Sequence, residues 1–326
     1  MDHKILNIGI LGCAEIARRS IIPAIKALPD KFNLVAISSR NLQKAKNWSL
    51  EFNCEAIEGY ENILKREDID AIYIPLPTGL HAEWVDKAIE QKKHVYCEKS
   101  FTHSYNHTKN LVSKAKKRSL ILLEGFMFIY HAQQIKAKSI IDKGFIGEIH
   151  SFSGNFGFPP LAPDNFRYKK ELGGGALLDA GAYPLRAARY FFDEKLSVAD
   201  CSLLLDNNNV DLRGSAYLKT KNCKSAFISF GFDNGYKCSY EIWGSQGSIF
   251  TEKAYTPRSN MFTKLIFENK NGREIIDIEP DNHFVNILVE FYDSIINETP
   301  EIHYKDILEQ SYMIEQIFEK DKINNR

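Results

Sequence analysis

Lys99, in the stretch HVYCEKS, and Tyr183, in ALLDAGAYPLRAARYFF, are the side chains of this sequence best suited to moving a proton at a carbonyl oxygen. An ammonium group can polarise a carbonyl or pass it a proton, and a positioned phenol can donate one. An unperturbed lysine titrates near ~10.4, so proton traffic near neutrality needs desolvation or a nearby positive charge. Placed beside Tyr183, Lys99 would lower the phenol's pKa in turn. Two plainer readings stand next to these. Glu98 and Lys99 fit a salt-bridged pair flanking a strand, and Asp179, Tyr183 and Arg186, at near-helical intervals, fit a structural hydrogen-bond network.

The residues that must position this chemistry begin with GILGCAEIA, a glycine turn between an apolar run and a helical pattern, with Gly12, Ala14 and Ala17 at the three small-residue positions of a dinucleotide fingerprint. The turn needs Gly12 for its backbone angles, and the other two positions need small side chains so that a pyrophosphate can approach the helix amino terminus. The second apolar run ends SSRN. An acid there would hold the ribose hydroxyls of NAD; Ser39 and Arg40 instead offer a hydroxyl and a fork of donors for a 2′-phosphate. NADP is favoured over NAD. After the third run, IPLPTGLHAEW forces an irregular loop at the same sheet edge, which makes Leu76, Thr78 and His81 candidate walls for a nicotinamide and its ribose. Glu98 and Lys99 follow a further strand whose carboxyl end lies on that edge, so both project toward the dinucleotide. Gly173, Gly174 and Gly175 read as a flexible or ligand-hugging turn ahead of Tyr183.

These motifs hang on a regular alternation. Strand patterns at LNIGILG, NLVAISSR, AIYIPLP, HVYC and LILLEGFM alternate with helical ones, which predicts a parallel sheet covered on both faces. After about residue 123 the rhythm changes. IHSFSGNFGF, VADCSLLLD, DLRGSAYLKT, KSAFISFGF, KCSYEIWG, GSIFTEK and KLIFENK follow one another across Gly, Asn and Asp turns, and two helical patterns close the chain. The fold class is α/β: an N-terminal doubly wound parallel sheet over residues 1–123, and a C-terminal α+β domain with a large, mostly antiparallel open sheet over 124–326.

A chain of 326 residues suits two domains. Lys plus Arg (42) balance Asp plus Glu (42), which argues against nucleic acid or an anionic membrane as partner and for a small molecule. The apolar run near the amino terminus is too short to span a bilayer, and a cytoplasmic protein is expected. The six cysteines show no metal-ligand spacing, so reduced thiols and no metal are expected.

Taken in order, the glycine turn, PTGLHAEW, CEKS, EGFMFIYH, LGGGALLDAGAYP and YEIWGSQGSI resemble the Gfo/Idh/MocA oxidoreductases along nearly the whole chain. The resemblance implies a Rossmann domain followed by a substrate-binding and oligomerisation domain, and a homodimer or homotetramer. The family's catalytic lysine falls on Lys99, with Ser100 in place of its proline. Tyr183 places the chain in the tyrosine branch, most similar to dTDP-keto-deoxysugar 3-ketoreductases. On that similarity Gly12, Cys13, Ala14, Glu15, Ile16, Ala17, Arg18, Ser39, Arg40, Tyr60, Leu76, His81, Arg167 and Asp179 line NADP(H), while Arg19, Tyr236 and Thr256 lie near a sugar nucleotide. The implied reaction moves a hydride between nicotinamide and a sugar carbonyl, with Lys99 or Tyr183 supplying the proton. An NADP-dependent aldose dehydrogenase of the xylose type or a dihydrodiol dehydrogenase is the alternative, and a non-catalytic dinucleotide-sensing regulator is a third reading.

Overall fold

The computed structural model describes residues 4–324. The chain separates into two units. The first holds the residues up to Gly125 together with Phe284–Ser311; the second holds Phe126–His283 and the residues from Tyr312 on.

In the first unit, β1 (Leu6–Leu11), β2 (Phe32–Ser39), β3 (Glu55–Glu58), β4 (Ala71–Ile74), β5 (His94–Cys97) and β6 (Leu122–Glu124) form one six-stranded parallel sheet in the order β3-β2-β1-β4-β5-β6. β1 and β4 are apolar nearly throughout because helices cover both faces of the sheet. The order reverses between β1 and β4, and ligands of such sheets bind at the carboxyl ends of the strands at that reversal. A π-helical turn, Ala17–Ile21, leads into α1 (Ile22–Lys26); α2 (Leu42–Phe52), α3 (Tyr60–Leu64), α4 (Thr78–Glu90) and α5 (Tyr105–Lys116) follow.

The division of the chain differs from the one read from sequence. The first unit runs to Gly125 rather than 123, and it takes back Phe284–Ser311. Packing explains the return. In α8 (His283–Ile296) the Phe291 ring lies 6.0 Å from Tyr96 and the Tyr292 ring 5.7 Å from Phe32, while the Tyr292 hydroxyl donates to the Lys4 carbonyl at 2.9 Å. Tyr304 and Ile307, from α9 (Glu301–Asn324), join the apolar cluster around Trp84 and Leu111.

The second unit is built on eight strands: β7 (Ile149–Gly157), β8 (Ser197–Leu205), β9 (Asp211–Lys219), β10 (Ser225–Gly231), β11 (Lys237–Gly244), β12 (Gly247–Thr251), β13 (Thr263–Asn269) and β14 (Gly272–Ile278). Their order is β14-β13-β12-β11-β7-β10-β9-β8, with β7 and β10 parallel and every other pair antiparallel. Along β7, Phe152, Gly154 and Phe156 are buried while Ser153 is exposed, the alternation of a sheet covered on one face. A second π-helical turn, Leu177–Gly181, leads into α7 (Ala182–Phe191), which packs on the covered face through Phe191, 6.3 Å from Phe152 and 5.1 Å from Tyr240; α6 (Ala132–Asp142) completes the unit.

Candidate active site

The turn after β1 is shaped for a close approach. Gly12 has φ +116°, and a Cβ there would lie 2.8 Å from Leu76 Cδ2, so a side chain would be both strained and crowded. Its N–H donates to Ser38 O, and the helix that follows opens with Ala17 N–H bonded to Ala14 O and Ala17 fully buried against the sheet. The first-turn N–H groups of that helix have no acceptor within it and point at whatever the turn holds. Cys13 and Ala14 are half-buried and Glu15 exposed along the same turn, with Ile16 half-buried. Burial pushes the Cys13 thiol pKa up, against the opposing pull of Lys44 and Ser39.

Ser39 and Arg40 end β2 beside that turn. Ser39 Oγ accepts from Asn41 N at 3.1 Å. Arg40 places its charge near the Tyr60 phenol, whose ring packs edge-on against Trp84 at 5.0 Å; burial raises the Tyr60 pKa and Arg40 opposes it. Lys44 donates to Cys13 O at 2.9 Å and so brings a further cation to the glycine turn. Its signal in the sequence is a basic pair four residues apart at the start of α2.

Arg18 is placed differently. Its guanidinium grips Glu51, with Nε 3.1 Å from both carboxylate oxygens and Nη2 at 2.9 Å, which raises its pKa. It ties the π-helical turn before α1 to α2 through the Glu51 carboxylate. Arg19 is exposed on the same helical turn.

His81 also departs from its expected role as a wall. It is 0% exposed, with Nδ1 2.9 Å from Ser100 O and Nε2 2.7 Å from Leu76 O, so the ring lies inside the unit instead of lining a surface. Thr78, at the start of α4, is buried as well. The Lys99 segment follows β5 with Glu98 N–H bonded to Ile74 O, and the peptide bond between Lys99 and Ser100 is cis. Tyr73 donates to Glu98 Oε1 at 2.6 Å, and Phe101 N–H donates to Glu124 Oε1 at 2.7 Å. Burial and the Glu98 charge push the Tyr73 pKa well up, so the phenol is a donor here.

In the second unit Tyr183 is 6% exposed among the rings of Phe126, Phe128, Phe156 and Tyr255. Arg167 and Asp179 are paired with each other, Nε to Oδ2 at 2.6 Å; although burial acts against the arginine's charge, Asp179 outweighs it and the Arg167 pKa rises. The glycine triplet serves the chain itself. A Cβ on Gly174 would collide with the Arg167 carbonyl and one on Gly175 with the Asp211 carboxylate. Asp211 accepts from Leu177 N at 2.5 Å, capping the turn that carries Asp179 and Tyr183. Nothing local marked it, because it stands on β9, far along the chain. Tyr236 and Thr256 lie near each other around Cys238, whose Sγ is 3.9 Å from Thr256 Oγ1, and Lys253 lies over the Tyr236 ring at 4.9 Å. Among the described residues no group of three or more His, Cys, Asp or Glu is placed to hold a metal ion.

The model of the oxidoreductase family with an NAD-binding Rossmann fold matches residues 6–126, and that of the GFO/IDH/MocA C-terminal domain matches 135–250. The chain belongs to the Gfo/Idh/MocA oxidoreductases. It is 34% identical over 320 residues, 97% of each chain, to a dTDP-3,4-didehydro-2,6-dideoxy-alpha-D-glucose 3-reductase of Streptomyces antibioticus. With the protein of the same name from Saccharopolyspora spinosa it shares 41% over 269 residues, 82% of this chain and 81% of the relative. It is similar to the crystal structure of a 3-ketoreductase from Actinomadura kijaniata in complex with NADP and TDP-benzene, with a TM-score of 0.93 at 34% identity, covering 97% of this chain and 98% of the other. That enzyme has also been solved with one lysine replaced by alanine or by glutamate, and with one tyrosine replaced by phenylalanine. As a Gfo/Idh/MocA protein the chain carries the two sheets that its sequence implied, one parallel and one mostly antiparallel.

Proposed function

We propose that this protein is an NADPH-dependent 3-ketoreductase of a dTDP-linked deoxysugar. The observation that carries the reading is similarity to such reductases along 97% of the chain. The lysine and the tyrosine altered in the Actinomadura kijaniata enzyme stand as far apart in its sequence as Lys99 and Tyr183 do here, which supports the assignment of these two as the catalytic pair.

The residues of the first unit fit the cofactor. The positive φ of Gly12 shapes the turn at which a pyrophosphate would lie, and Cys13, Ala14, Glu15, Ile16 and Ala17 would present backbone to it. Ser39, Arg40 and Lys44 would hold the 2′-phosphate, and no carboxylate at the end of β2 repels it. Leu76 and Thr78 would flank the nicotinamide, and Glu98, Arg167 and Asp179 would complete its surroundings. Bound there, NADPH would supply the hydride that reduces the ketone.

Lys99 would polarise the keto oxygen and stabilise its developing charge, and the proton would come from Lys99 itself or from the Tyr183 phenol. Arg19, Tyr236 and Thr256 would contact the sugar nucleotide. The test is NADPH oxidation with dTDP-linked 3-keto sugars, run beside NADP reduction with free aldoses. Activity confined to aldoses would favour the D-xylose 1-dehydrogenase reading, since an NADP-dependent enzyme of that name from Haloferax volcanii is 29% identical over 315 residues. The same reading carries a cytoplasmic homodimer or homotetramer assembled through the second unit. Its sheet leaves Trp243 64% and Phe227 52% exposed, and sedimentation of wild type beside Trp243→Glu tests the assembly.

A further inference from the structure

The segment around Lys99 lies beyond the end of β5, where the sheet's own ladder no longer holds it, yet nearly every residue of it is gripped. Glu98 receives the Tyr73 hydroxyl, Phe101 N–H meets Glu124, and Thr102 Oγ1 lies 2.8 Å from Thr108 Oγ1, itself 2.9 Å from Ser311 Oγ. At Ser100 the partner is His81, and this contact differs in kind from the rest because the imidazole has a second nitrogen on another loop. Nδ1 faces the Ser100 carbonyl at 2.9 Å and Nε2 the Leu76 carbonyl at 2.7 Å. Leu76 in turn fills the space over the Gly12 turn. One buried ring therefore links the segment carrying Lys99 to the loop that walls the dinucleotide turn.

The donor arithmetic is tight. Both carbonyls only accept, and a neutral imidazole has one N–H, so it bonds one carbonyl at a time; the doubly protonated ring bonds both. Burial lowers the His81 pKa and the Lys99 charge acts the same way, while the carbonyls of Leu76, Ser100 and Phe101 oppose them. The doubly protonated ring holds both loops and the neutral ring bonds one while packing against the other, a connection that an aliphatic side chain of similar volume lacks in either state.

We propose that His81 is a positioning residue of the reaction, tying the Ser100 carbonyl to the Leu76 carbonyl and thereby fixing the Lys99 ammonium against the wall of the nicotinamide. The inference rests on the reading of Lys99 as the group that acts on the substrate carbonyl. His81 is fully buried with both ring nitrogens on backbone carbonyls, so it acts through the lysine. A misplacement of about 1 Å at a reacting group costs on the order of 10²-fold in rate, and a loop released at Ser100 permits a shift of that size.

The test uses the full chain, NADPH and a dTDP-linked 3-keto sugar, with His81→Leu, His81→Gln, Lys99→Ala and the double variant Lys99→Ala with His81→Leu. His81→Leu is expected to lower kcat roughly 10- to 100-fold while NADPH affinity changes less than about 3-fold. Glutamine, whose amide carries two N–H groups, is expected to recover much of that loss. In the Lys99→Ala background His81→Leu is expected to change the residual rate by less than about 2-fold, because a residue acting through the lysine has nothing left to act on. Unchanged kcat in His81→Leu, or an undiminished further loss in the double variant, overturns the proposal. Normal turnover by Lys99→Ala removes the lysine from the reaction and this inference with it, whereas wild-type inactivity on the keto sugar overturns the functional reading itself. If His81→Leu does not fold, His81→Met, which also lacks an N–H donor, decides on the same criteria alone and in the Lys99→Ala background.

Discussion

The ring of Tyr183 stands edge-on to that of Phe156, with centroids 5.2 Å apart and planes at 87°. Phe126 and Phe128 approach it at 5.8 Å each and Tyr255 at 5.9 Å, so the phenol is aimed by aromatic packing as well as by its helix. Edge-to-face pairs contribute about 0.5–1.5 kcal/mol beyond burial, and phenylalanine would keep them all. Tyr183→Phe is therefore expected to melt within a few degrees of wild type, retain NADPH affinity, and lose ~10²- to 10⁴-fold in kcat if the phenol delivers the proton. A loss below tenfold would leave Lys99 as the donor.

Lys99→Ala separates binding from chemistry. The ammonium is assigned to the substrate oxygen, so its removal is expected to leave the NADPH dissociation constant within about 2-fold while single-turnover oxidation slows by ~10²- to 10³-fold, the usual consequence of deleting one oxyanion-stabilising donor. Fluorescence titration and stopped-flow absorbance read the two quantities separately. Normal single-turnover rates would remove the lysine from the reaction.

The sequence disclosed what periodicity and local chemistry encode. HVYC is β5 to the residue, and KCSYEIWG is β11. What escaped was short or distant. β3 has four residues, none of them buried, and α3 is a single turn and a half, so neither raises a pattern above its surroundings. β14 is largely exposed, and its apolar residues alternate too weakly to be set apart from a loop. Phe284–Ser311 read as the end of the second domain because position along the chain suggests it; contacts such as those of Phe291, Tyr292 and Tyr304 return it to the first unit. The site residues followed the same division. Gly12, Ser39, Arg40 and Tyr183 stand in recognisable motifs, whereas the support that Asp211 gives the turn before Tyr183 from another strand, and the burial of His81 with both nitrogens on backbone carbonyls, have no local signature.

Arg40 is the sharpest test of cofactor choice. It stands at the end of β2 with Lys44 behind it on Cys13 O, and a charged hydrogen bond to a phosphate is worth about 1.5–3 kcal/mol. Arg40→Ala is expected to lower kcat/KM for NADPH by ~10- to 100-fold and to change that for NADH by less than about 3-fold. Equal losses with both cofactors would take the guanidinium away from the 2′-phosphate.

Asp211 ties stability to pH through the turn ahead of Tyr183. Burial raises its pKa to about 7, outweighing the backbone N–H groups of Leu177 and Ala176 that favour the charged form. An unfolded aspartate titrates near ~3.9, so below pH ~4 both states hold the proton and the full contribution to stability is present. As pH rises toward 7 the unfolded chain releases its proton while the folded one keeps it, and that contribution is lost. Two buried histidines run the other way: burial lowers His94 to about 4 and His283 to about 3, so their contribution is present above ~6.5 and lost as pH falls. Comparison with Asp211→Asn, which cannot ionise, removes the histidines from the account. The thermal midpoint of wild type relative to Asp211→Asn is expected to fall between pH 4.5 and 8, by an amount on the order of 3–4 kcal/mol in stability. A difference independent of pH would mean that the Leu177 and Ala176 donors keep the carboxylate charged throughout, and that the cap on the Tyr183 turn is an ion-dipole contact from acid to base.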